Sequence, residues 1–377
     1  MTTPLATVGI PTFNRSGRLK HCVASILAQS FGNIEVVISD NGSADDTWAV
    51  CQAFERDDRR FRVFRQDPPL NSTQNFDFVR RQAHGDYVLL LGDDDWIDRV
   101  YLERCIGTLI AKPDHIAVGG RPTYYRDGKA LFQGVPLQAD REDPSGRLLQ
   151  ALSQLVDAGT FHAVFRRSTS GPIPILNVFG MDYLYICEAA YCGKIETLAD
   201  TAVHRIDNSH LKPIADSVRG LGLPPEQGQD HYGSILALLF WYIAAVGTRF
   251  ADLDFWPRLT LAARAAAIVF KRWQVRDEDG LSAVAQSIFA NENLTDATRI
   301  IRRSLLEKSI AELHDPSSRL WNEVLPEILP TLTRLGFDKV PPARDERHLL
   351  LRLHGSLKDI GNAARRDCAL TAVRLFY

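Results

Sequence analysis

Apolar runs alternate with helically spaced apolar positions through the first hundred residues. The run at 6–10 ends at Pro11, after which Leu19, Cys22, Val23, Ile26 and Leu27 recur at helical intervals. Residues 34–38 predict a second strand, followed by a helix carrying Trp48, Cys51 and Phe54, with Asp45 or Asp46 at its start. Residues 61–65 predict a third strand, and Phe76, Val79 and Ala83 mark another helical face. The continuous apolar run at 87–91 predicts a buried fourth strand. Beyond it a helix is expected over 98–109, with Leu102, Ile106 and Ile110 inward. Extended pieces are expected at 116–119 and 123–125, at 161–165 and at 195–198. Helices are expected where Leu148, Leu149, Leu152, Leu155 and Val156 recur, and over 182–192.

Strand–helix alternation of this kind predicts an α/β fold, a mostly parallel twisted sheet flanked by helices. Right-handed crossovers place the segments 11–15, 39–43 and 92–95 on one sheet edge, where open α/β folds bind ligands. From about 216 the texture becomes helical, with Leu294, Ile300, Ile301, Leu305, Leu306 and Ile310 recurring. The glycine- and proline-rich segment 220–225 suggests a boundary. We therefore expect a ligand-binding domain at 1–215 and a helical C-terminal extension at 216–377.

Composition narrows the classes. With 44 basic and 46 acidic residues among 377, the net charge of -2 gives no electrostatic case for a nucleic-acid partner. Cysteines 22, 51, 105, 187, 192 and 368 show neither CxxC spacing nor a disulfide framework, which suits reduced thiols in a cytoplasmic protein. The N-terminus shows no signal-peptide pattern. The apolar stretch 235–246 is short for a membrane span, which needs about 20 residues. A buried helix is expected there; the alternatives are a homodimer contact or a peripheral membrane contact at the inner membrane face.

The sharpest chemical signal is Gly92-Asp93-Asp94-Asp95, directly after the fourth apolar run. Adjacent carboxylates repel, and burying them uncompensated is costly. Mn²⁺ or Mg²⁺ offsets that repulsion while keeping positions for diphosphate oxygens, and stabilises charge on a leaving nucleoside diphosphate. The alternative is a solvated turn in which one aspartate caps the next helix. Asp40 has a similar duality: a contact to a base imide, or an Asx-type turn over 40–43.

The segments VGIPTFNR at 8–15, QSFGNIEVVISDNGSADDTW at 29–48 and AHGDYVLLLGDDDW at 83–96 resemble, in order and spacing, the inverting glycosyltransferases of family 2, which have the GT-A fold. The resemblance runs from about residue 5 to 209. It implies sugar transfer from a UDP-, dTDP- or GDP-linked donor to a carbohydrate, lipid-linked or small-molecule acceptor, assisted by Mn²⁺ or Mg²⁺. Pro11, Thr12 and Phe13 are implied to line the nucleotide pocket, and Asp40 to contact the base. Arg15 is implied near phosphate or paired with Asp40. Gln74 and Asn75 are implied near the base or ribose, with helix-start polarity as the alternative.

Asp95 corresponds to the metal ligand, and Asp94 or Asp93 to a ribose contact or a second, water-mediated metal contact. Gly92 stands where the family often has aspartate. The family base usually lies in an Glu-Asp pair after a glycine; here Gly180-Met181-Asp182 lacks the first acid, leaving Asp182 as the base or, alternatively, a helix N-cap. The segment from Val203 to His210 resembles a Y-R-x-H-x-x-S pattern. Arg205 is implied to contact diphosphate, and His204 or His210 to contact metal or phosphate, while Asp207 occupies the usual histidine position. Asn208, Ser209 and Lys212 suggest a lid. Two other classes share such a pocket: a sugar nucleotidylyltransferase, for which PTFNRSGR offers only a faint triphosphate loop, and a non-catalytic nucleotide-sugar sensor.

Overall fold

Strands β1 (Ala6–Thr12) and β2 (Ile34–Asp40) are buried almost throughout, because helices cover both faces of the sheet they form. A computed structural model describes residues 5–207, 214–229, 231–273, 281–288, 294–313, 315, 318–335, 337, 344–356 and 363–376. The chain divides into two units, Met1–Leu223 and Pro224–Tyr377.

In the first unit, β1 and β2 are joined by α1 (Ser16–Leu27). Then come α2 (Thr47–Asp57), β3 (Phe61–Arg65), α3 (Ser72–Arg81), β4 (Tyr87–Leu90), β5 (Trp96–Ile97) and α4 (Tyr101–Ala111). The chain continues through β6 (His115–Arg126), β7 (Lys129–Gln133), α5 (Pro144–Gln154), a 3-10 turn (Gly159–His162), β8 (Val164–Arg166) and α6 (Arg167–Ser170). It closes with α7 (Met181–Cys192), β9 (Lys194–Ile206) and α8 (Ile214–Gly220). The sheet order is β3-β2-β1-β4-β8-β6-β9-β5, with β7 on β6. The first four strands are parallel, as strand–helix alternation predicts, and β6 is parallel to β9. The strand β8 runs antiparallel between β4 and β6, and β5 and β7 are antiparallel to their neighbours.

Side chains alternate across this sheet with the period of two that strand geometry imposes. Val36, Ile38 and Leu89 face one core with Leu19, Cys22 and Ile106, while Val37, Val88 and Leu90 face another with Val79, Ala151 and Ile186. Several expectations shift. The helix expected from 98 begins at Tyr101, because Trp96 and Ile97 pair with β9 first. Ile110, expected inward, is 58% exposed. The two pieces expected at 116–125 are one strand, bulged between Gly120 and Arg121, and the piece at 195–198 extends to Ile206.

The second unit contains α9 (Glu226–Gln229), α10 (His231–Trp241), α11 (Phe255–Trp273), α12 (Leu281–Ile288), α13 (Leu294–Glu312), α14 (Leu325–Arg334), α15 (Arg344–Ser356) and α16 (Ala363–Phe376). Residues 235–243 are buried inside it, so the stretch that motivated a dimer or membrane contact supplies this unit's own core. In α13, Ile301, Leu305 and Leu306 are buried, whereas Ile300 is 64% exposed. No described helix is long and apolar enough to cross a membrane.

Candidate active site

The ends of β1, β2 and β4 converge on one edge because the strands are parallel and in register there. Hydrogen bonds lash their loops together. Thr12 Oγ1 donates to Asp93 Oδ2 at 2.7 Å. Asn14, held in the left-handed region at φ 52, donates its backbone N–H to Ser43 Oγ at 2.8 Å. Its own Oδ1 accepts from the Ala44 N–H at 2.8 Å, and the Arg15 N–H donates to Thr47 Oγ1 at 2.9 Å. Small polar residues recur in these loops because their side chains satisfy the backbone groups that strand ends leave open.

The three aspartates divide by their partners. Arg15 Nη1 lies 2.9 Å from both Asp93 Oδ1 and Asp94 Oδ2, and Arg18 Nη1 lies 3.0 Å from Asp94 Oδ2. Arg15 therefore pairs with the acidic cluster, and Asp40 has Arg65 Nε at 3.6 Å instead. The buried Asp40 carboxylate also accepts from the Ser43 N–H, at 3.3 and 3.2 Å to its two oxygens, which is the Asx-type turn. Burial raises the Asp93 carboxyl above the usual range, opposed by Arg15 and Thr12.

Asp95 is different. It is 4% exposed, yet its contacts are long: the Ile206 N–H at 3.3 Å to Oδ1, and Arg205 Nε at 3.5 Å and His162 Nε2 at 3.7 Å to Oδ2. Burial pushes its carboxyl up to about 6, against the pull of Arg205. The absent side chain at Gly92 makes this position available: a Cβ there would lie 2.8 Å from Asp95 Oδ2.

Arg205 sits on β9 opposite Tyr124 and links the cluster to the rest of the site. Its Nη1 donates to the Tyr124 hydroxyl at 3.3 Å, and that hydroxyl donates to Asp157 Oδ1 at 2.7 Å. Burial disfavours charge on Arg205, but Asp95 and Tyr124 outweigh it and raise its pKa. Asp182 lies within the same field. Helix α7 starts after Gly180, which adopts φ 82 and acts as the N-cap, so Asp182 sits in the first turn rather than capping it. Its Oδ1 accepts from the Tyr183 N–H at 3.0 Å. Dense packing around this partly exposed carboxyl raises its pKa; the Tyr183 N–H and Arg205 lower it, and Asp157 adds to the rise.

A cavity of about 590 Å³ opens beside the cluster. Pro11, Thr12, Phe13, Arg15, Asn75, Asp93 and Asp94 line it, together with Asp216, Ser217 and Gly220 of α8. Phe13 is 50% exposed at its wall. Gln74 completes a capping box with Asn71, whereas Asn75 is buried and points Nδ2 at the Ser39 carbonyl, 3.2 Å away. Among the described residues, Asn75 Oδ1 has no hydrogen-bond partner. Asp40, Asp95, Asp182 and Arg205 are not on this wall.

His204 departs from its expected role. Its Nε2 lies 2.8 Å from Asp98 Oδ1 and its ring stacks on Trp96, while Nδ1 is buried without a hydrogen-bond partner among the described residues. Asp207 pairs with Arg126. His210 and the lid residues Asn208, Ser209 and Lys212 lie outside the described residues. Arg18, Tyr124, Asp157 and His162 carried no signal in the sequence: Arg18 is a position in α1, Tyr124 lies on β6, and Asp157 and His162 lie between α5 and β8.

Residues 7–170 match the profile described as Glycosyl transferase family 2. The chain carries a glycosyl transferase family 2 domain. Among curated relatives, a GalNAc(5)-diNAcBac-PP-undecaprenol beta-1,3-glucosyltransferase of Campylobacter jejuni is 32% identical over 174 residues, covering 44% of this chain and 52% of that one. Glycosyltransferase GlyG of Streptococcus pneumoniae is 30% identical over 129 residues, 34% of this chain and 43% of that one. The chain thus matches about half the length of these relatives. The fold of the chain is similar to S. aureus TarS 1-349, with a TM-score of 0.54 at 16% identity over 81% of this chain and 86% of that one. The likeness fits the GT-A type of α/β fold.

Proposed function

We propose that this chain transfers a sugar, with inversion, from a nucleoside-diphosphate donor to an acceptor hydroxyl. The observation that carries the reading is the position of Arg205, with Asp95 against its guanidinium and Asp182 within its field. Pro11, Phe13 and Asn75 would receive the nucleoside in the adjoining cavity, where the buried Asn75 Oδ1, unpartnered among the described residues, suits a donor group of the base or ribose. Asp40, fully buried and off the cavity wall, would reach the base only if the 40–43 turn opened. Ionised Asp182 would take the proton of the acceptor hydroxyl as that oxygen attacks the anomeric carbon. The bond to the diphosphate breaks, its electron pair leaving with the diphosphate. Arg205 and Arg15 supply positive charge for that group.

The residues also fit a divalent cation. The buried Asp95 carboxylate has, among the described residues, contacts of 3.3 Å and longer, which leaves it under-compensated, and a cation at Asp95, with Asp94 alongside, would correct this. Among the described residues no three metal-ligating side chains converge. Most coordination would therefore come from water and diphosphate, the usual arrangement for Mg²⁺ and similar ions. When bound, Mn²⁺ or Mg²⁺ stabilises negative charge on the departing diphosphate.

TarS has been crystallised with UDP-GlcNAc and with UDP, which makes UDP-GlcNAc the first donor to test. The Campylobacter relative's undecaprenol-linked acceptor makes a polyprenyl-diphosphate sugar the first acceptor. A thermal-shift screen of UDP-, dTDP- and GDP-sugars should show one class raising the Tm further with Mn²⁺, because ligand binding stabilises the fold by mass action. The same donor should release free nucleoside diphosphate when acceptor is added. A sensor would show the shift without release; a nucleotidylyltransferase would release pyrophosphate from a nucleoside triphosphate.

A further inference from the structure

The chemistry above makes no use of His162. This residue closes the 3-10 turn before β8 and is 5% exposed. Its Nδ1 lies 2.7 Å from the Leu90 carbonyl oxygen. A carbonyl only accepts, so the contact puts the proton on Nδ1 and leaves a lone pair on Nε2.

Nε2 faces Asp95 Oδ2 across 3.7 Å. Two acceptors thus confront each other, and the gap between them calls for a cation or a donor. The ring is held in place from several sides. The Tyr101 hydroxyl donates to the His162 carbonyl at 2.8 Å, and Val164, two residues on, pairs with Leu89 of the strand that leads into the aspartates.

We propose that His162 Nε2 is a second protein ligand to the divalent cation held by Asp95. The proposal rests on the metal reading above. Bonds of about 2.1 Å to an imidazole nitrogen and a carboxylate oxygen allow one ion to span such a gap. A backbone carbonyl on the opposite ring nitrogen is the arrangement that fixes the tautomer of a ligating histidine and raises its basicity. Nitrogen ligation also sets ion preference: imidazole suits transition metals, whereas Mg²⁺ favours oxygen donors. The site therefore selects Mn²⁺ over Mg²⁺.

The test uses Mn²⁺ as the probe on the full chain, with and without UDP. Electron paramagnetic resonance counts the free ion, and spin-echo modulation reports nitrogen bound to it. The wild type should show imidazole nitrogen modulation, and His210→Ala should retain it. His162→Gln should lose the modulation and weaken Mn²⁺ binding by about tenfold or more. Bound Mn²⁺ with no nitrogen modulation in the wild type overturns the His162 assignment without needing any variant to fold. Modulation that survives His162→Gln overturns it too; both results leave the metal at Asp95 standing. If wild-type protein binds no Mn²⁺ and sugar transfer is indifferent to the ion, the metal reading fails and the His162 ligand fails with it.

Discussion

Asp182, the proposed base, ties stability to pH at the residue scale. Packing raises its pKa in the folded chain, so the fold favours its protonated form. Its contribution to stability is therefore fully present below the unfolded pKa and is lost as pH rises through the higher folded value. Asp182→Asn should raise the Tm at neutral pH relative to wild type, with the advantage shrinking in acid. The same change should leave donor affinity in place and slow turnover by about a hundredfold or more, the scale of general-base catalysis. Wild-type turnover should fall on acidification with a midpoint above that of an ordinary carboxylate, which a pH–rate profile reads directly. Turnover near wild type in Asp182→Asn would move the base elsewhere.

Residue identities at the site were partly legible. The spacing of PTFNR, SDNGS and GDDDW brought Thr12, Arg15, Asp93 and Asp94 together before any coordinates, because each motif ends a strand. Their partners were not legible. Nothing local to Tyr124, Asp157 or His162 marks them, and each reaches the Arg205–Asp95 region from far along the chain. His204 gained partners the sequence did not show, Asp98 and the stacked Trp96, through the β5–β9 pairing.

At the scale of elements, the helix that carries Asp182 depends on the glycine before it. Gly180 adopts φ 82 at the N-cap of α7, a conformation that costs a residue with a Cβ roughly 1–2 kcal/mol. Gly180→Ala should lower the unfolding free energy by that amount, read as a lower urea midpoint, and reduce turnover, because the first turn of α7 would shift. Unchanged stability and rate would show that the turn tolerates a side chain without moving. Elements with uninterrupted apolar runs, β1, β2 and β4, were readable in the sequence because burial on both faces demands such runs. The strand β5 has two residues, and β9 runs through Asp200 and Thr201. Their extended form comes from cross-strand partners, which local pattern does not contain.

At the scale of the molecule, the division between units falls within the glycine- and proline-rich segment, between Leu223 and Pro224. Helix α8 consequently belongs to the first unit and contributes Asp216, Ser217 and Gly220 to the cavity wall. A boundary drawn at 215, where polar texture changes, separates those residues from the pocket they help enclose. Every described lining residue of that cavity lies before Leu223, so under the proposed function donor recognition would fall to the first unit.

The proposed mechanism, with Asp182 as a single base and one activated donor, requires direct displacement at the anomeric carbon. Time-resolved proton NMR of the first-formed product, using the donor that stabilises the chain, measures this outcome. An anomeric configuration opposite to that of the donor is the predicted result; a product that keeps the donor's configuration would contradict the account.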